Sequence, residues 1–148
     1  MASLGGTAST EIDASIELCW AAVEDLAAAP DWQAGLNAME IRERDGEGRV
    51  LLAESTSDAK VRQIRSVMRF TYDAPHRLGW RQESGDLKSL VGAWELEALG
   101  PERTRATYRL DGDPGRMLGM LIRGPVEERL QEILVGGRPA ELKRRVEG

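Results

Sequence analysis

The longest helical pattern in the sequence covers residues 115–146, and its central part has a single apolar face. Val126, Leu130, Ile133 and Leu134 recur there at helical spacing, between residues that are mostly charged. A helix with one apolar face has to pack against another element, and the segment before it reads mostly as strands. We therefore expect an antiparallel sheet that curves around this C-terminal helix.

Two interruptions predict that this helix is irregular. Pro125 can begin a helix or kink it, because it lacks an amide hydrogen, and the stretch from Gly136 to Pro139 is a second weak point. At about 100° per residue, Met117 and Leu142 fall off the central apolar face. We expect a helix that bends to follow the sheet. The alternative is that one part of it faces a different partner.

The rest of the chain predicts a strand, two short helices and six further strands. Turn residues separate the six strands, so neighbours in sequence are expected to pair as hairpins. The fold class is then α+β, in one domain over residues 1–148, with a seven-stranded antiparallel sheet. The predicted elements are a strand at 7–12, a helix at 16–26, a short helix opening at 31–33, and strands at 39–44, 49–57, 61–73, 77–83, 87–99 and 103–111.

Composition excludes several classes of protein. The formal net charge of −5 argues against a nucleic-acid surface, which needs clustered basic residues. A single cysteine, Cys19, excludes an internal disulfide and fits a reducing compartment. No apolar run approaches the roughly 18 residues of a membrane span, and residues 1–6 lack the basic flank and apolar core of a signal peptide. These features predict a cytoplasmic protein with no membrane span.

The sequence shows no recognisable metal, cofactor or catalytic constellation. His76 is the single histidine and lies far from Cys19, so no pair has the spacing of zinc ligands. No glycine-rich phosphate loop is present either. We expect His76 to be a surface turn residue and Cys19 to be an inert buried thiol, and we predict neither a cofactor nor a metal.

Strand alternation places many large apolar side chains on the face expected to point inward. These residues either fill the core or leave a cavity for a small hydrophobic molecule. Ser66, Gln82 and Thr104 share that face and would orient a ligand or bond to other protein groups. The predicted ligand-binding residues are Met68, Phe70, Tyr72, Trp80, Trp94 and Tyr108 from the strands, with Met117 and Leu121 from the C-terminal helix.

Five short segments, taken in order, resemble the polyketide cyclase/dehydrase and START-like lipid-transport superfamily. They are IELCW at 16–20, DLAAAPDW at 25–32, DAPHRLGW at 73–80, GAWEL at 92–96 and TRATY at 104–108. The resemblance implies a helix-grip fold with a deep cavity between the sheet and the C-terminal helix. Similar proteins include aromatic polyketide aromatase/cyclases, coenzyme Q-binding proteins and lipid carriers.

The cyclases in that superfamily carry an inward arginine midway along the long strand. The resemblance places Met68 at about that position in this chain. Arg65 and Arg69 have the wrong parity and are expected to face outward. A one-residue bulge in the strand would reverse this expectation.

Our leading hypothesis is a binding protein for a small hydrophobic molecule, with Trp32 and residues 117–123 at the mouth of the cavity. The second is a polyketide cyclase or dehydratase that polarises carbonyl groups with Tyr72, Tyr108 or Arg62.

The third hypothesis is an interaction module, for which a homodimer is one arrangement. It requires that Met117 and Leu121, or Leu142 and Val146, are exposed to a protein partner.

Overall fold

A computed structural model describes residues 4–148 and contains one sheet of seven antiparallel strands. Residues 1–3, part of the segment in which no signal peptide was expected, lie outside the described residues. The spatial order is β1-β7-β6-β5-β4-β3-β2, so every neighbouring pair except β1 and β7 is a sequential hairpin. The seven-stranded antiparallel sheet is therefore confirmed. The strands are β1 (Leu4–Ile12), β2 (Leu36–Arg44), β3 (Val50–Asp58), β4 (Gln63–Asp73), β5 (Arg77–Gly85), β6 (Ser89–Gly100) and β7 (Arg103–Asp113).

Two short helices follow β1, as predicted. The first, α1 (Ile16–Glu24), is capped by Ser15, whose hydroxyl accepts a hydrogen bond from the Leu18 amide at 3.2 Å. The second is a 3₁₀ helix at Leu26–Asp31, so the predicted start at residue 31 is wrong. A 3₁₀ turn suits this short stretch, because it needs few residues to close its hydrogen bonds. Among residues 4–148, no helix has the length and apolar character that crossing a membrane requires.

The C-terminal helical segment consists of α2 (Gly115–Leu121), α3 (Pro125–Gln131), a π-helical turn (Glu132–Gly136) and α4 (Arg138–Glu147). It is interrupted at both predicted points. In the π turn the Gly137 amide donates to the Glu132 carbonyl at 2.8 Å, which gives the turn an additional residue.

The π turn changes which residues of this segment face the sheet. Buried residues now recur every four positions, at Leu130, Leu134, Arg138 and Leu142. Leu142 is therefore on the packed face, as expected of a helix that follows the sheet, although a regular α-helical phase would turn it away from the central apolar residues. The segment is interrupted as expected, and from Leu130 to Leu142 it keeps one continuous buried face.

The inward face of β4 follows the predicted alternation. Ser66, Met68 and Phe70 are buried, whereas Arg65 is exposed and Arg69 pairs with Glu83. A bulge does occur here, between the pairs Val67–Ser84 and Met68–Gln82, but the additional residue belongs to β5. The parity of β4 is thus unbroken, and the outward orientation predicted for Arg65 and Arg69 is confirmed.

The outward face of the sheet is covered by cross-strand ion pairs. Arg109 contacts Glu95 at 2.6 Å and Arg105 contacts Glu97 at 3.0 Å, in both cases between β7 and β6. Exposed pairs of this kind contribute at most about 1 kcal/mol each. They identify this face as the solvated one, which leaves the opposite, concave face for the core.

Gly92 allows the indole of Trp80 to lie directly on β6. The two residues are cross-strand partners, and a Cβ atom at position 92 would lie 2.5 Å from the indole ring. A side chain at this position would therefore force Trp80 to move.

We predict that Gly92→Ala lowers the free energy of unfolding by about 1–3 kcal/mol, because Trp80 has to leave its packed position. The matched control is Gly100→Ala in the same strand, where an added Cβ atom meets nothing within 4 Å. Urea unfolding of both variants and the parent measures the difference. Equal stability of the two variants would contradict the prediction.

Candidate functional site

A cavity of about 100 Å³ lies between the concave face of the sheet and the C-terminal helical segment. Most of its wall is apolar. Gln33, Leu36 and Met39 are only half-buried, as are Ser57 and Leu110, so the wall nearest to solvent lies mainly before and along β2. The lining residues are Leu4, Leu26, Gln33, Leu36, Met39, Ser55, Ser57, Ile64, Ser66, Met68, Phe70, Trp80, Leu87, Leu90, Trp94, Tyr108, Leu110, Leu134 and Arg138.

A continuous row of aromatic rings occupies one side of the cavity. The ring centroids of Trp94 and Tyr108 are 4.8 Å apart, those of Trp80 and Tyr108 5.6 Å, and those of Phe70 and Trp80 6.3 Å. Distances and tilted arrangements of this kind are favourable for aromatic pairs. The rings fill much of the space that they were expected to enclose. The cavity is consequently smaller than the deep one that the family resemblance implied.

Five of the eight predicted ligand-binding residues line this cavity, namely Met68, Phe70, Trp80, Trp94 and Tyr108. Tyr72 does not line it. Its hydroxyl donates a 2.6 Å hydrogen bond to the Val50 carbonyl, toward the end of the sheet near α1. Its ring packs edge-on against Trp20, with centroids 6.4 Å apart.

The predicted placement of Met117 and Leu121 in the cavity is wrong. The two residues are 83% and 56% exposed, and the buried apolar residues here are Leu118 within α2 and Ile122 just after it. The turn at Gly124, with a φ of 67°, separates α2 from the rest of the helical segment and gives it its own orientation. Residues 117–123 therefore do not flank this cavity. Met120 and Arg123 line a separate groove beside Lys88.

Trp32 lies near the cavity but is not part of its lining. It is half-buried, and its ring centroid is 6.2 Å from that of Trp94. The remaining candidate of the catalytic hypothesis, Arg62, is exposed and lies 3.6 Å from Asp86. Of the three residues proposed for catalysis, only Tyr108 faces the cavity.

The inward polar residues named from the sequence already have protein partners. Ser66 donates to the Gln82 side-chain oxygen at 2.9 Å, and the Gln82 amide donates to the Leu87 carbonyl at 2.9 Å. Thr104 donates to the Ala14 carbonyl at 2.8 Å. These bonds satisfy groups that would otherwise be buried without partners. A ligand would have to break them in order to use the same groups.

Arg138 is the functional candidate that sequence reasoning missed. It is the first residue of α4, lines the cavity and is only 3% exposed. One of its terminal nitrogens, Nη1, donates to Glu141 Oε1 at 2.8 Å and to the Ala34 carbonyl at 2.9 Å. Among the side chains of residues 4–148, its Nε is the one buried polar atom without a hydrogen-bond partner.

The Arg138 guanidinium also faces the aromatic row. Its Cζ atom lies 5.7 Å from the ring centroid of Tyr108, within the range of a cation–π interaction. Burial raises the pKa of the Tyr108 hydroxyl, and the neighbouring Arg138 opposes part of this rise through its charge. At neutral pH the cavity wall thus combines a protonated phenol with a buried guanidinium.

A sequence signal for Arg138 does exist. The residues Leu130, Leu134, Arg138 and Leu142 recur every four positions, and the arginine stands among three leucines. In a regular α-helix, residues four positions apart drift gradually around the axis, so these four residues would not share one face. The π turn adds a residue to one turn and brings them back to the same side. Glu141, three residues after Arg138, is the second part of the signal, because that spacing allows an ion pair.

Residues 5–147 match the model of a family described as polyketide cyclase / dehydrase and lipid transport. No functionally curated protein matched the sequence.

Several solved structures share the fold at low sequence identity. A START superfamily protein from Mycobacterium smegmatis is 21% identical, with a TM-score of 0.81 and 97% of each chain covered. A protein from Thermus thermophilus is 21% identical, with a TM-score of 0.80 and 96% of each chain covered. The Zhui aromatase/cyclase from a Streptomyces species is 19% identical, with a TM-score of 0.73 over 98% of this chain and 94% of that one.

We predict that both tyrosines of the chain ionise only at strongly alkaline pH while it is folded. Burial raises the pKa of Tyr72 to about 12 and also raises that of Tyr108. In the unfolded chain both should ionise near pH 10. Keeping the phenols neutral therefore stabilises the fold below about pH 10, and this contribution is lost as the pH rises toward 12.

Ultraviolet titration of tyrosinate, in buffer and in denaturant, measures this difference, and Tyr72→Phe isolates the signal of Tyr108. A folded protein whose tyrosines both titrate near pH 10 would contradict the burial of the two hydroxyls.

We predict that Arg138→Met lowers the free energy of unfolding by about 3–5 kcal/mol, because Glu141 is left buried without its cation. The double variant Arg138→Met/Glu141→Gln should recover a large part of this loss, since no buried charge remains. Chemical unfolding of the parent, both single variants and the double variant gives the coupling energy. Strictly additive effects would show that the two side chains do not interact.

Proposed function

Because the chain belongs to the polyketide cyclase / dehydrase and lipid transport family, we propose that it binds a small, largely apolar molecule between the sheet and the C-terminal helical segment. The supporting observation is the cavity of about 100 Å³, whose wall is mostly leucine, methionine and aromatic side chains. Sites for small molecules typically combine such a wall with a few polar groups.

The size of the cavity limits the ligand. An engineered cavity of about 150 Å³ in another protein binds benzene, whereas drug-sized ligands occupy about 300–1,000 Å³. At about 100 Å³, this cavity is smaller than the benzene site and suits a short branched chain, whereas one ring requires a small expansion. A larger ligand requires the half-buried wall at Gln33, Leu36 and Met39 to move outward.

The free energy of binding would come mainly from buried apolar surface and would be modest. A buried apolar surface contributes roughly 25 cal/mol per Å² removed from water, so a single ring supplies a few kcal/mol. Binding of this strength is reversible, so the protein would carry or sequester its ligand and release it again. Transport or sequestration is therefore the proposed role.

A catalytic role is the second candidate, and one observation favours it. The Tyr108 hydroxyl and the Arg138 guanidinium face the same cavity, and such groups can polarise a carbonyl by hydrogen bonding. Mass spectrometry of a ligand recovered after incubation separates the two roles. An unchanged mass with an unchanged chromatographic retention time supports binding alone. Loss of water supports a dehydratase, and a changed retention time at unchanged mass supports a cyclase.

We predict that Leu90→Trp abolishes binding of small apolar probes, because Leu90 lines the cavity and the larger side chain fills it. The control is Val91→Trp, since Val91 lies on the opposite face of β6 and is 48% exposed. Native mass spectrometry and the thermal shift produced by benzene and toluene are the measurements. The proposal fails if neither compound binds the parent protein or if both variants bind equally well.

A further inference from the structure

We infer that the Nε of Arg138 is the hydrogen-bond donor for an uncharged oxygen atom of the cavity ligand. The ligand class is then a small apolar molecule with a carbonyl group, such as a ketone, an ester or an amide, and not a carboxylic acid. This inference rests on the proposed binding function and specifies which molecules the cavity selects.

The first observation is the missing partner. Among the side chains of residues 4–148, Arg138 Nε is the one buried nitrogen or oxygen with no hydrogen bond. A buried donor without a partner is costly, and native proteins keep very few of them. Because the Arg138 side chain lines the cavity, an acceptor on a ligand that enters beside the guanidinium and displaces the atoms covering Nε can supply the missing bond.

The second observation is the way in which the guanidinium is held. Nη1 is fixed by Glu141 Oε1 at 2.8 Å and by the Ala34 carbonyl at 2.9 Å. The other oxygen of Glu141 accepts the Ala34 amide at 3.0 Å. The buried ion pair therefore hydrogen-bonds both backbone groups of Ala34, which gives the pair a structural role. Both bonds from the guanidinium are made by Nη1, so they fix the plane of the group and use neither Nη2 nor the fully buried Nε.

The third observation is the charge balance, which decides between an uncharged and a charged acceptor. Arg138 and Glu141 form a close pair whose side chains are only 4% and 10% exposed, so the pair is already neutral. The other polar side chains that line the cavity are Gln33, three serines and Tyr108, which carry no charge at neutral pH. A carboxylate would add a buried negative charge with no cation left to balance it.

The aromatic residues of the cavity wall determine which apolar group the ligand can have. Trp80, Trp94 and Tyr108 present ring faces and edges that suit a flat group. At about 100 Å³, the space is too small for one ring with a short carbonyl substituent as it stands, so such a ligand requires the half-buried wall at Gln33, Leu36 and Met39 to move outward. An aryl ketone such as acetophenone has this shape.

Three compounds of nearly equal shape test the inference in the whole chain. Acetophenone has a carbonyl oxygen, α-methylstyrene replaces that oxygen with a methylene group, and benzoate replaces the methyl ketone with a carboxylate. Calorimetric titration at neutral pH gives the three dissociation constants. We expect acetophenone to bind on the order of tenfold more tightly than α-methylstyrene, and benzoate to bind most weakly.

The variants assign this preference to Nε. Arg138→Met/Glu141→Gln removes the donor without leaving a buried charge, and Arg138→Lys keeps a cation beside Glu141 but has no Nε. In both variants the preference of acetophenone over α-methylstyrene should fall to about twofold or less, while α-methylstyrene itself still binds. Either variant is sufficient if the other fails to fold.

The outcomes separate this inference from the proposed function. Equal binding of acetophenone and α-methylstyrene to the parent protein, or tightest binding of benzoate, overturns the inference and leaves the apolar site intact. A preference for acetophenone that persists in the variants also overturns it. Absence of binding by all three compounds overturns the inference together with the proposed function.

Discussion

The buried ion pair between Arg138 and Glu141 joins the two parts of the fold that enclose the cavity. Between them the two side chains bond both the amide and the carbonyl of Ala34, which lies between the 3₁₀ helix and β2. Gly35 follows, and a Cβ atom there would come within 3.0 Å of Ile133 on the helical segment. The ion pair thus fixes the start of the edge strand β2 against α4. A buried pair of this kind costs desolvation energy, which its additional hydrogen bonds offset.

The shape of the cavity follows from how the helical segment meets the sheet. The π turn lets Leu130, Leu134, Arg138 and Leu142 face the same concave surface, although a regular helix would rotate them apart. On the sheet side, Gly92 lets Trp80 lie flat on its neighbouring strand. Trp80 then packs against Tyr108, and the cavity that remains beside the two rings is small.

Strand parity was predictable from the sequence, whereas helix phase was not. Alternation along β4 placed Met68 inward and Arg65 outward correctly, because a strand has a fixed period of two and the bulge lies in β5. Met117 and Leu121 were misplaced because the turn at Gly124 changes the direction of the chain. Arg138 was missed because its inward direction depends on the π turn. Tyr72 lies on the predicted face, but its bond to Val50 is a long-range contact that spacing cannot show.

We propose that a small ligand binds in the cavity beside Arg138. A crystal structure of the protein soaked with acetophenone tests this proposal most directly. Our account predicts density for one ring between Trp94 and Leu134, with the carbonyl oxygen at hydrogen-bond distance, about 2.9 Å, from Arg138 Nε. A cavity without the compound would contradict the account. So would a bound ring whose oxygen points away from the guanidinium.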